Sequence, residues 1–147
     1  MKVKIKLLHP EAKMPEKQHQ LDAGFDLFSV EDAEFHGPGE IVSVSCGFSM
    51  ELPPGYEAQI RPRSGLAFQY GVTVINSPGT IDSNFRGEVK VGLVWLGGNN
   101  VFKPHIFPKG NRIAQMVIQK LPDIELEEAE VLSDTDRGSN GFGSSGV

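Results

Sequence analysis

The C-terminal segment of the chain combines a cation, an aromatic ring and several hydroxyl groups on a glycine-rich backbone. It reads Arg-Gly-Ser-Asn-Gly-Phe-Gly-Ser-Ser-Gly over residues 137–146. Because it has little apolar surface to offset its ordering entropy, we expect it to be mobile until a ligand supplies contacts. Arginine and backbone N–H groups suit phosphate oxygens, and a phenyl ring can stack on a base. The segment is therefore either a solvated glycine-serine tail or a strap that closes over a nucleotide.

A second candidate for anion binding lies at residues 61–67, where two arginines flank a proline ahead of a short apolar stretch. Ser64 is predicted to cap a short helix that Gly71 ends. The proline fixes the approach of the chain, so Arg63 and the N–H groups of the helix start could converge on one anion. The alternative is a basic surface loop.

Two aspartates are further candidates for a functional site, and each also has a purely structural interpretation. Asp26 interrupts the otherwise apolar residues 23–28. It is either a solvated strand residue or a charge that orients an arginine or a hydrated metal. Asp82 lies within residues 76–88, which are predicted to form the long tip of a hairpin. Acids in turns commonly hydrogen-bond nearby backbone, so Asp82 alone does not establish a site.

Residues 110–117 enter a predicted strand that carries Arg112 and Gln115. Their odd separation predicts that they point to opposite faces, so that one braces the structure while the other meets a ligand. No Ser/His/Asp set or Cys/His pair accompanies these segments, which disfavours covalent nucleophilic catalysis. No glycine loop of the Walker type is present either.

The elements that must position these side chains are short strands. Strand-like runs recur at residues 3–8, 40–46, 57–60, 72–75, 88–96 and 113–118, with turn signals between them. Seventeen glycines and ten prolines, without a long stretch of helical period, favour an antiparallel β-sandwich, jelly roll or barrel. The sequence therefore predicts an all-β fold with one short helix.

Composition narrows the classes of function. The 147 residues, 39% of them hydrophobic, fit one domain, and no apolar run is long enough to span a bilayer. We therefore expect a cytoplasmic protein without membrane contact. The single cysteine, Cys46, cannot form an intrachain disulfide, and four scattered histidines disfavour a dedicated transition-metal site. A net charge of −5 argues against binding to polymeric nucleic acid, although a small anion needs only a few local cations.

The character of the sequence changes towards the C-terminus. Residues 124–132 alternate only in part and are acidic at their polar positions, which suits an edge strand or an extended arm on another surface. Residues 133–136 read as a hydrophilic hinge. We therefore divide the chain into a β domain over residues 1–132 and a hinge with a flexible glycine-rich arm over residues 133–147.

Five segments, taken in order, resemble the five motifs of the trimeric deoxyuridine triphosphatases (dUTPases). They are AGFDL at residues 23–27, PRSGLA at 62–67, GTIDSNFRG at 79–87, GNRIAQ at 110–115 and the arm at 137–146. Any one motif would be weak evidence, but five in sequence make coincidence negligible. The resemblance implies a jelly-roll, β-clip-like subunit in a homotrimer with three active sites at the subunit junctions. It also implies hydrolysis of dUTP to dUMP and pyrophosphate, which limits uracil in DNA and supplies dUMP for thymidylate synthesis.

In this family each site takes its first, second and fourth motifs from one subunit, its third from a neighbour and its arm from the remaining one. Asp82 then resembles the carboxylate that accepts a proton from the attacking water and aims that water at the α-phosphorus. The resemblance implies Mg²⁺ held mainly by phosphate oxygens and water, with Asp26 acting through water or by orienting an arginine. Closure of the arm would complete the site.

The remaining roles are carried over motif by motif. The residues implied in phosphate binding are Arg63, Ser64, Gly65 and Gln115, and those implied in covering the terminal phosphate are Arg137, Gly143 and Ser144. The uracil edge would meet Asn76 and the backbone of Gly79, Thr80 and Ile81, where cytosine would leave buried groups unpaired. Phe85 would lie under the deoxyribose, Lys90 would approach the base through its backbone, and Phe142 would stack on the uracil.

The chain departs from the family pattern at three positions. Phe85 stands where tyrosine is usual, Asn84 replaces the more usual aspartate, and Asn140 takes a common glycine position. None of the three touches the proposed base, so we expect activity to persist. Two alternatives are a dCTP deaminase-like enzyme, whose catalytic glutamate motif has no counterpart here, and a regulatory protein of the same fold that binds a protein partner.

Overall fold

The computed structural model describes residues 1–98 and 105–141 of the chain. In these residues the protein forms ten β-strands and one α-helix. The strands are β1 (Lys4–Leu7), β2 (Phe25–Phe28), β3 (Ala33–Phe35), β4 (Ile41–Glu51), β5 (Tyr56–Arg61), β6 (Val72–Val74), β7 (Gly79–Ile81), β8 (Glu88–Trp95), β9 (His105–Phe107) and β10 (Arg112–Lys120), and the helix is α1 (Ser64–Tyr70). The prediction of an all-β fold with one short helix is confirmed.

Two four-stranded antiparallel sheets contribute the apolar core. Their strand orders are β1-β4-β8-β6 and β2-β10-β5-β7, and β3 pairs with β9 in a separate two-stranded sheet. The largest fully buried side chains come from both sheets and from β3, and they include Trp95, Phe35, Phe48 and Leu27. Removal of this apolar surface from water is the main force that holds the sheets together.

All six predicted strands are present, and the structure adds four that the sequence does not predict. The added strands, β2, β3, β7 and β9, have only three or four residues each. Runs this short contain too few alternations for a period of two to be recognised. Strand β4 also continues past Cys46 to Glu51, because Gly47 forms part of an irregularity within the strand and does not end it.

The predicted hairpin between β6 and β8 is confirmed, but its connection crosses to the other sheet. Strands β6 and β8 pair from Val72 opposite Trp95 to Val74 opposite Leu93. Between them, β7 leaves this sheet and pairs with β5. Residues 76–87 therefore bridge the two sheets, and both sheets fix the position of the loop that carries Asp82.

Helix α1 begins one residue earlier than a cap at Ser64 would require. Arg63 is the N-cap, with extended backbone (φ −94°, ψ 131°), and its carbonyl accepts the first helical bond from the Ala67 N–H at 3.1 Å. Ser64 is the first helical residue, and its hydroxyl makes no capping bond. Gly71 ends the helix in the left-handed conformation as predicted. Within the described ranges, no helix has the length and apolar character needed to cross a membrane.

The Cys46 thiol is fully buried on β4. Burial, with repulsion from Glu88 and Glu31, raises the pKa of this thiol from 9.0 to about 12. Because the thiolate is the reactive form, we expect no alkylation of the folded protein at pH 8 and complete alkylation in guanidinium. The unfolded thiol ionises first, so the free energy of unfolding should fall as pH rises through this window. Iodoacetamide labelling with mass spectrometry tests the first expectation, and rapid labelling of the folded protein would contradict it.

Candidate active site

One cleft collects the residues predicted to bind phosphate. It lies where β2, the start of α1 and β10 meet. Its lining consists of Gln18, Asp22, Ala23, Gly24, Asp26, Arg63, Ser64, Gly65 and Gln115. The first, second and fourth motifs therefore come together in one chain, as the resemblance implies. We call this the cationic cleft, because Arg63 supplies a cation and the N–H groups of the first helical turn have no intrahelical partner.

Asp26 holds two arginines at the edge of this cleft. Its Oδ1 accepts a hydrogen bond from Arg63 Nε at 3.1 Å, and its Oδ2 accepts one from Arg112 Nη1 at 3.3 Å. Arg63 Nη1 also donates to the Arg112 carbonyl oxygen at 3.1 Å. The Asp26 side chain is only 12% exposed, so its charge requires these partners. Of the interpretations open for Asp26, a charge that orients an arginine is the one consistent with this geometry.

The prediction that Arg112 and Gln115 point to opposite faces is wrong. Gln115 lies opposite Asp26, and Arg112 lies opposite Phe28, with a register shift between Arg112 and Ala114. Directly paired residues project to the same side of a sheet, and so do residues two apart in a strand. The shift adds one residue to β10, so that two residues an odd number apart come to lie on the same face. Arg112 and Gln115 consequently share a face with Asp26.

The side chain of Gln115 enters the cationic cleft through space left by Gly24. A Cβ atom at Gly24 would lie 2.5 Å from Gln115 Oε1. Gln115 Nε2 donates to the Pro62 carbonyl oxygen at 2.9 Å, which ties β10 to the segment that leads into α1. A glycine at this position is therefore required for the orientation of Gln115.

A second cleft contains the side chain predicted to act as the base. Its lining consists of Thr80, Ile81, Asp82, Phe85, Glu88, Val89 and Lys90, and we call it the hairpin cleft. Asp82 is exposed, and its carboxylate accepts no hydrogen bond from the described part of the chain. Its carbonyl oxygen accepts the Phe85 N–H at 3.1 Å, which closes the turn. The carboxylate is therefore not used to stabilise the turn and is free for chemistry.

The hairpin also carries an aromatic ring in the same cleft and a side-chain amide ahead of β7. The Phe85 ring packs over Gly87, where a Cβ atom would lie 2.6 Å from the ring. Asn76 precedes β7, and its side-chain amide lies against Gly79, as shown by a distance of 3.3 Å from Nδ2 to the position of a Cβ there. Lys90 is exposed on β8. The third motif thus presents a carboxylate, an aromatic face and backbone amide groups together.

The two clefts lie at opposite ends of β5. Ile81 pairs with Ala58 near the start of that strand, so Asp82 leaves the sheet at this end. Arg63 follows the other end, five residues beyond Ala58. Asp82 lies one residue further from Arg63 than Ile81 does, so at about 3.3 Å for each strand residue the separation of the two backbones is roughly 20 Å. One chain therefore does not bring Asp82 and Arg63 to the same reacting group.

The C-terminal residues lie apart from both clefts. The Leu121 N–H donates to the Gly55 carbonyl oxygen at 2.8 Å, and every described residue from 122 to 141 is exposed. No strand is formed over residues 124–132, in keeping with an extended arm. Arg137 lies in a short turn, where its Nε donates to the Asn140 carbonyl oxygen at 2.9 Å. The predicted contacts of Phe142, Gly143 and Ser144 lie outside the described residues.

Sequence reasoning missed two residues that line the cationic cleft, and it did not predict the contact between Arg112 and Asp26. Arg112 reaches Asp26 only because of the register shift in β10, and no residue type signals that shift. Gln18 and Asp22 line the cleft from the loop before β2. Asp22 is adjacent to the first motif and could have been considered on that basis. Its carboxylate caps a turn by accepting the His19 N–H at 2.9 Å.

Comparisons with known proteins support the resemblance to the dUTPases. The family model described as dUTPase matches residues 10–146. A deoxyuridine 5'-triphosphate nucleotidohydrolase of Nautilia profundicola is 51% identical over 146 residues, which cover 99% of each chain. One of Clostridium tetani is 50% identical over 144 residues, which cover 98% of this chain and 96% of that relative.

A solved structure supports the same assignment. A mutant dUTPase of Staphylococcus bacteriophage 80alpha, solved with dUpNHpp, has a TM-score of 0.89 at 28% identity over 99% of both chains. The predicted jelly-roll fold of this family is thereby confirmed. With a family model over nearly the whole chain, close relatives at full coverage and a shared fold, the chain belongs to the dUTPase family.

Proposed function

We propose that the chain hydrolyses dUTP to dUMP and pyrophosphate in an active site shared between chains. The observation that carries this proposal is the separation of two chemically complementary clefts in a family of triphosphatases. One cleft offers cations and N–H groups for phosphates, and the other offers a carboxylate beside an aromatic face. The named relatives do not favour either the deaminase or the regulatory alternative.

The distance between the clefts supports an assembly of three chains. A bound triphosphate must contact Arg63 while the water that attacks it contacts Asp82, and these two residues lie at opposite ends of β5 in one chain. A second chain that presents its hairpin to the cationic cleft of the first satisfies both requirements. Cyclic symmetry repeats this contact around a closed ring. Each ring of three chains then has three sites.

The cationic cleft is proposed to bind the phosphates through Arg63, Ser64, Gly65 and Gln115. The Ser64 hydroxyl is not used as a helix cap, so it can donate to a phosphate oxygen. Asp26 holds the Arg63 guanidinium in a fixed orientation before substrate arrives. A fixed donor loses less entropy on binding than a mobile one, which favours tight and well-oriented phosphate binding.

The described residues fit Mg²⁺ in the form carried by a triphosphate. They contain no group of three His, Cys, Asp or Glu side chains able to hold a metal by themselves. Mg²⁺ commonly keeps several waters and takes phosphate oxygens with one or two carboxylates. Asp26 and Asp22 line the cationic cleft, and with its oxygens directed at arginines, Asp26 would contact the ion through water. When bound, Mg²⁺ neutralises phosphate charge and fixes the geometry of the triphosphate.

Asp82 is proposed to act as the general base. Its exposed carboxylate would accept a proton from a water and orient that water in line with the bond between the α-phosphorus and the pyrophosphate oxygen. The hydroxide oxygen bonds to the α-phosphorus, and the bond to the leaving oxygen breaks. The pyrophosphate leaves with the electrons of that bond, stabilised by Arg63 and the N–H groups of the cationic cleft.

Base and sugar selection is assigned to the hairpin. The uracil edge would pair with Asn76 and with the backbone of residues 79–81, and Lys90 would approach the base through its backbone. The exposed face of Phe85 would lie under the deoxyribose and leave no room for a 2′-hydroxyl. Cytosine presents the reversed pattern of donors and acceptors, so it would leave buried polar groups unpaired.

The hinge and arm over residues 133–147 are proposed to complete a site on another chain. Residues 122–141 contact little of their own subunit, since all of them are exposed. The acidic residues of this segment, Glu125, Glu127, Glu128 and Glu130, would suit the exposed lysines Lys2, Lys4 and Lys6 along the edge strand β1. Arg137, Gly143 and Ser144 would then cover the terminal phosphate, and Phe142 would stack on the uracil.

The proposed function is tested by offering the protein each deoxynucleoside triphosphate with Mg²⁺ and measuring pyrophosphate. We expect release from dUTP, and at least about a hundredfold lower kcat/KM for dCTP, because unpaired buried groups give the larger discriminations. The dTTP methyl should be rejected by overlap with the hairpin. Comparable turnover of dCTP or dTTP would contradict the assigned specificity, and the absence of release from dUTP would contradict the function.

A further inference from the structure

An irregularity in β4 lies directly behind the hairpin cleft. Ser45 pairs with Lys90 and Ser49 pairs with Glu88, so β4 spans four residues where β8 spans two. Gly47, at the centre of the extra residues, has a φ of +68°. A side chain there would collide with Val30, Ala12 and His9. This segment, residues 45–49, is the β4 bulge, and its backbone groups need partners outside the regular ladder.

Two glutamates satisfy the β4 bulge from different sides. Glu31 Oε1 accepts the Ser45 N–H at 2.6 Å. Glu88 Oε1 accepts the Gly47 N–H at 3.2 Å and also a hydrogen bond from Ser45 Oγ. Each carboxylate therefore accepts hydrogen bonds from the bulge, one at Glu31 and two at Glu88.

Only one of these glutamates belongs to the hairpin. Glu88 is the first residue of β8, directly after the third motif, and it lines the hairpin cleft with Asp82 and Phe85. Its second oxygen, Oε2, lies 3.9 Å from Lys90 Nζ. The Glu88 side chain is 30% exposed, so it spans from the interior of the bulge to the cleft. Within the described residues, Glu31 makes no hydrogen bond or ion pair with the hairpin, and its hydrogen bond goes to the Ser45 N–H.

We propose that Glu88 is a positioning residue that fixes the returning side of the hairpin, and with it Asp82, against the β4 bulge. The advancing side is already fixed, because Ile81 pairs with Ala58 of β5. The tip between Asp82 and Gly87 is closed by local bonds alone, including those from Arg86 Nη1 to the Ser83 and Phe85 carbonyl oxygens. Without the Glu88 side chain, the returning side keeps its backbone pairing with Ser49 but loses its side-chain hydrogen bonds to the β4 bulge. This inference rests on the proposed function of Asp82.

The test compares Glu88→Ala with Glu31→Ala as a matched control. Each variant removes one carboxylate from the β4 bulge, so a role in folding alone predicts similar effects for both. Positioning predicts that Glu88→Ala lowers kcat by about tenfold or more, because a displacement of 1 Å in a catalytic group can cost that much. Glu31→Ala should keep kcat within about threefold at temperatures well below its Tm.

A conservative variant separates geometry from charge. Glu88→Gln keeps an oxygen that can accept the bonds from Gly47 and Ser45, so we expect it to recover kcat to within about threefold of the wild type. Ser45→Ala, combined with Glu88→Ala, should lower kcat no further than Glu88→Ala alone, since the hydrogen bonds of the Ser45 hydroxyl reach the hairpin cleft only through Glu88. Equal losses in Glu88→Ala and Glu31→Ala, or no recovery in Glu88→Gln, would overturn the proposal.

Hydrogen exchange provides a readout that does not depend on catalysis. In Glu88→Ala, the amides of residues 82–87 should exchange about tenfold faster, whereas Glu31→Ala should leave them unchanged. If the wild type releases no pyrophosphate from dUTP, the proposed function fails, and exchange still decides whether Glu88 fixes the hairpin. If exchange in residues 82–87 is the same in both variants, the positioning role fails even where dUTP is hydrolysed.

Discussion

Asp82→Asn is expected to lose dUTP hydrolysis while keeping the ability to bind substrate. The amide has the size of the carboxylate and still accepts a hydrogen bond, but it does not take a proton from water at neutral pH. General-base catalysis is commonly worth about 10²–10⁴ in rate, so kcat should fall by that amount. Single-turnover release of pyrophosphate measures the chemical step directly.

Binding must be measured in the same variant, because loss of activity has several causes. The Kd of a non-hydrolysable imido analogue of dUTP should change by less than about threefold in Asp82→Asn, since the carboxylate is assigned to the water and not to the nucleotide. Asp123→Asn, an exposed aspartate outside both clefts, is the control for loss of a negative charge. Full activity in Asp82→Asn would reject Asp82 as the base, and loss of analogue binding would make it a binding residue.

The sequence predicts the fold class because the long strands carry their own pattern. Strands β8 and β10 alternate clearly enough to be recognised and are bounded by glycine and proline turns. Strand β7 could not be found in this way, since it has three residues and is defined by its pairing with β5. Such pairing joins residues far apart in the chain, and local composition does not report it.

The candidate site also has features that could be predicted from the sequence and features that could not. Asp82 and Arg63 could be selected from residue type and motif, which depend on identity alone. The pairing of Asp26 with both Arg63 and Arg112 depends on a one-residue shift in β10 that changes the side to which a side chain points. The rule that residues an odd number apart in a strand point to opposite faces fails wherever such an irregularity occurs. The sequence accordingly left the role of Asp26 open and wrongly placed Arg112 and Gln115 on opposite faces.

The separation of the two clefts predicts that two different inactive variants recover activity when they assemble together. Asp82→Asn removes the base, and Arg63→Gln removes a phosphate-binding charge while keeping an N–H donor for Asp26. Each variant alone should have less than about one per cent of wild-type activity, because each defect is present in every site. If each site takes Asp82 from one chain and Arg63 from another, a mixed assembly contains some sites with neither defect.

The recovered activity can be estimated from symmetry. In an equal mixture that assembles at random, a site receives an intact Asp82 with a probability of one half and an intact Arg63 with the same probability. About a quarter of the sites should therefore be fully intact, and the mixture should recover about a quarter of the wild-type activity. The two variants, differently tagged, are refolded together and assayed as a mixture. Mixed assemblies of three purified through both tags should recover about a third of the wild-type activity, because each has one fully intact site among three. Mixed assemblies without recovered activity would mean that Asp82 and Arg63 act within one chain. The roughly 20 Å between their strand positions would then have to close by a rearrangement of β5 and β7.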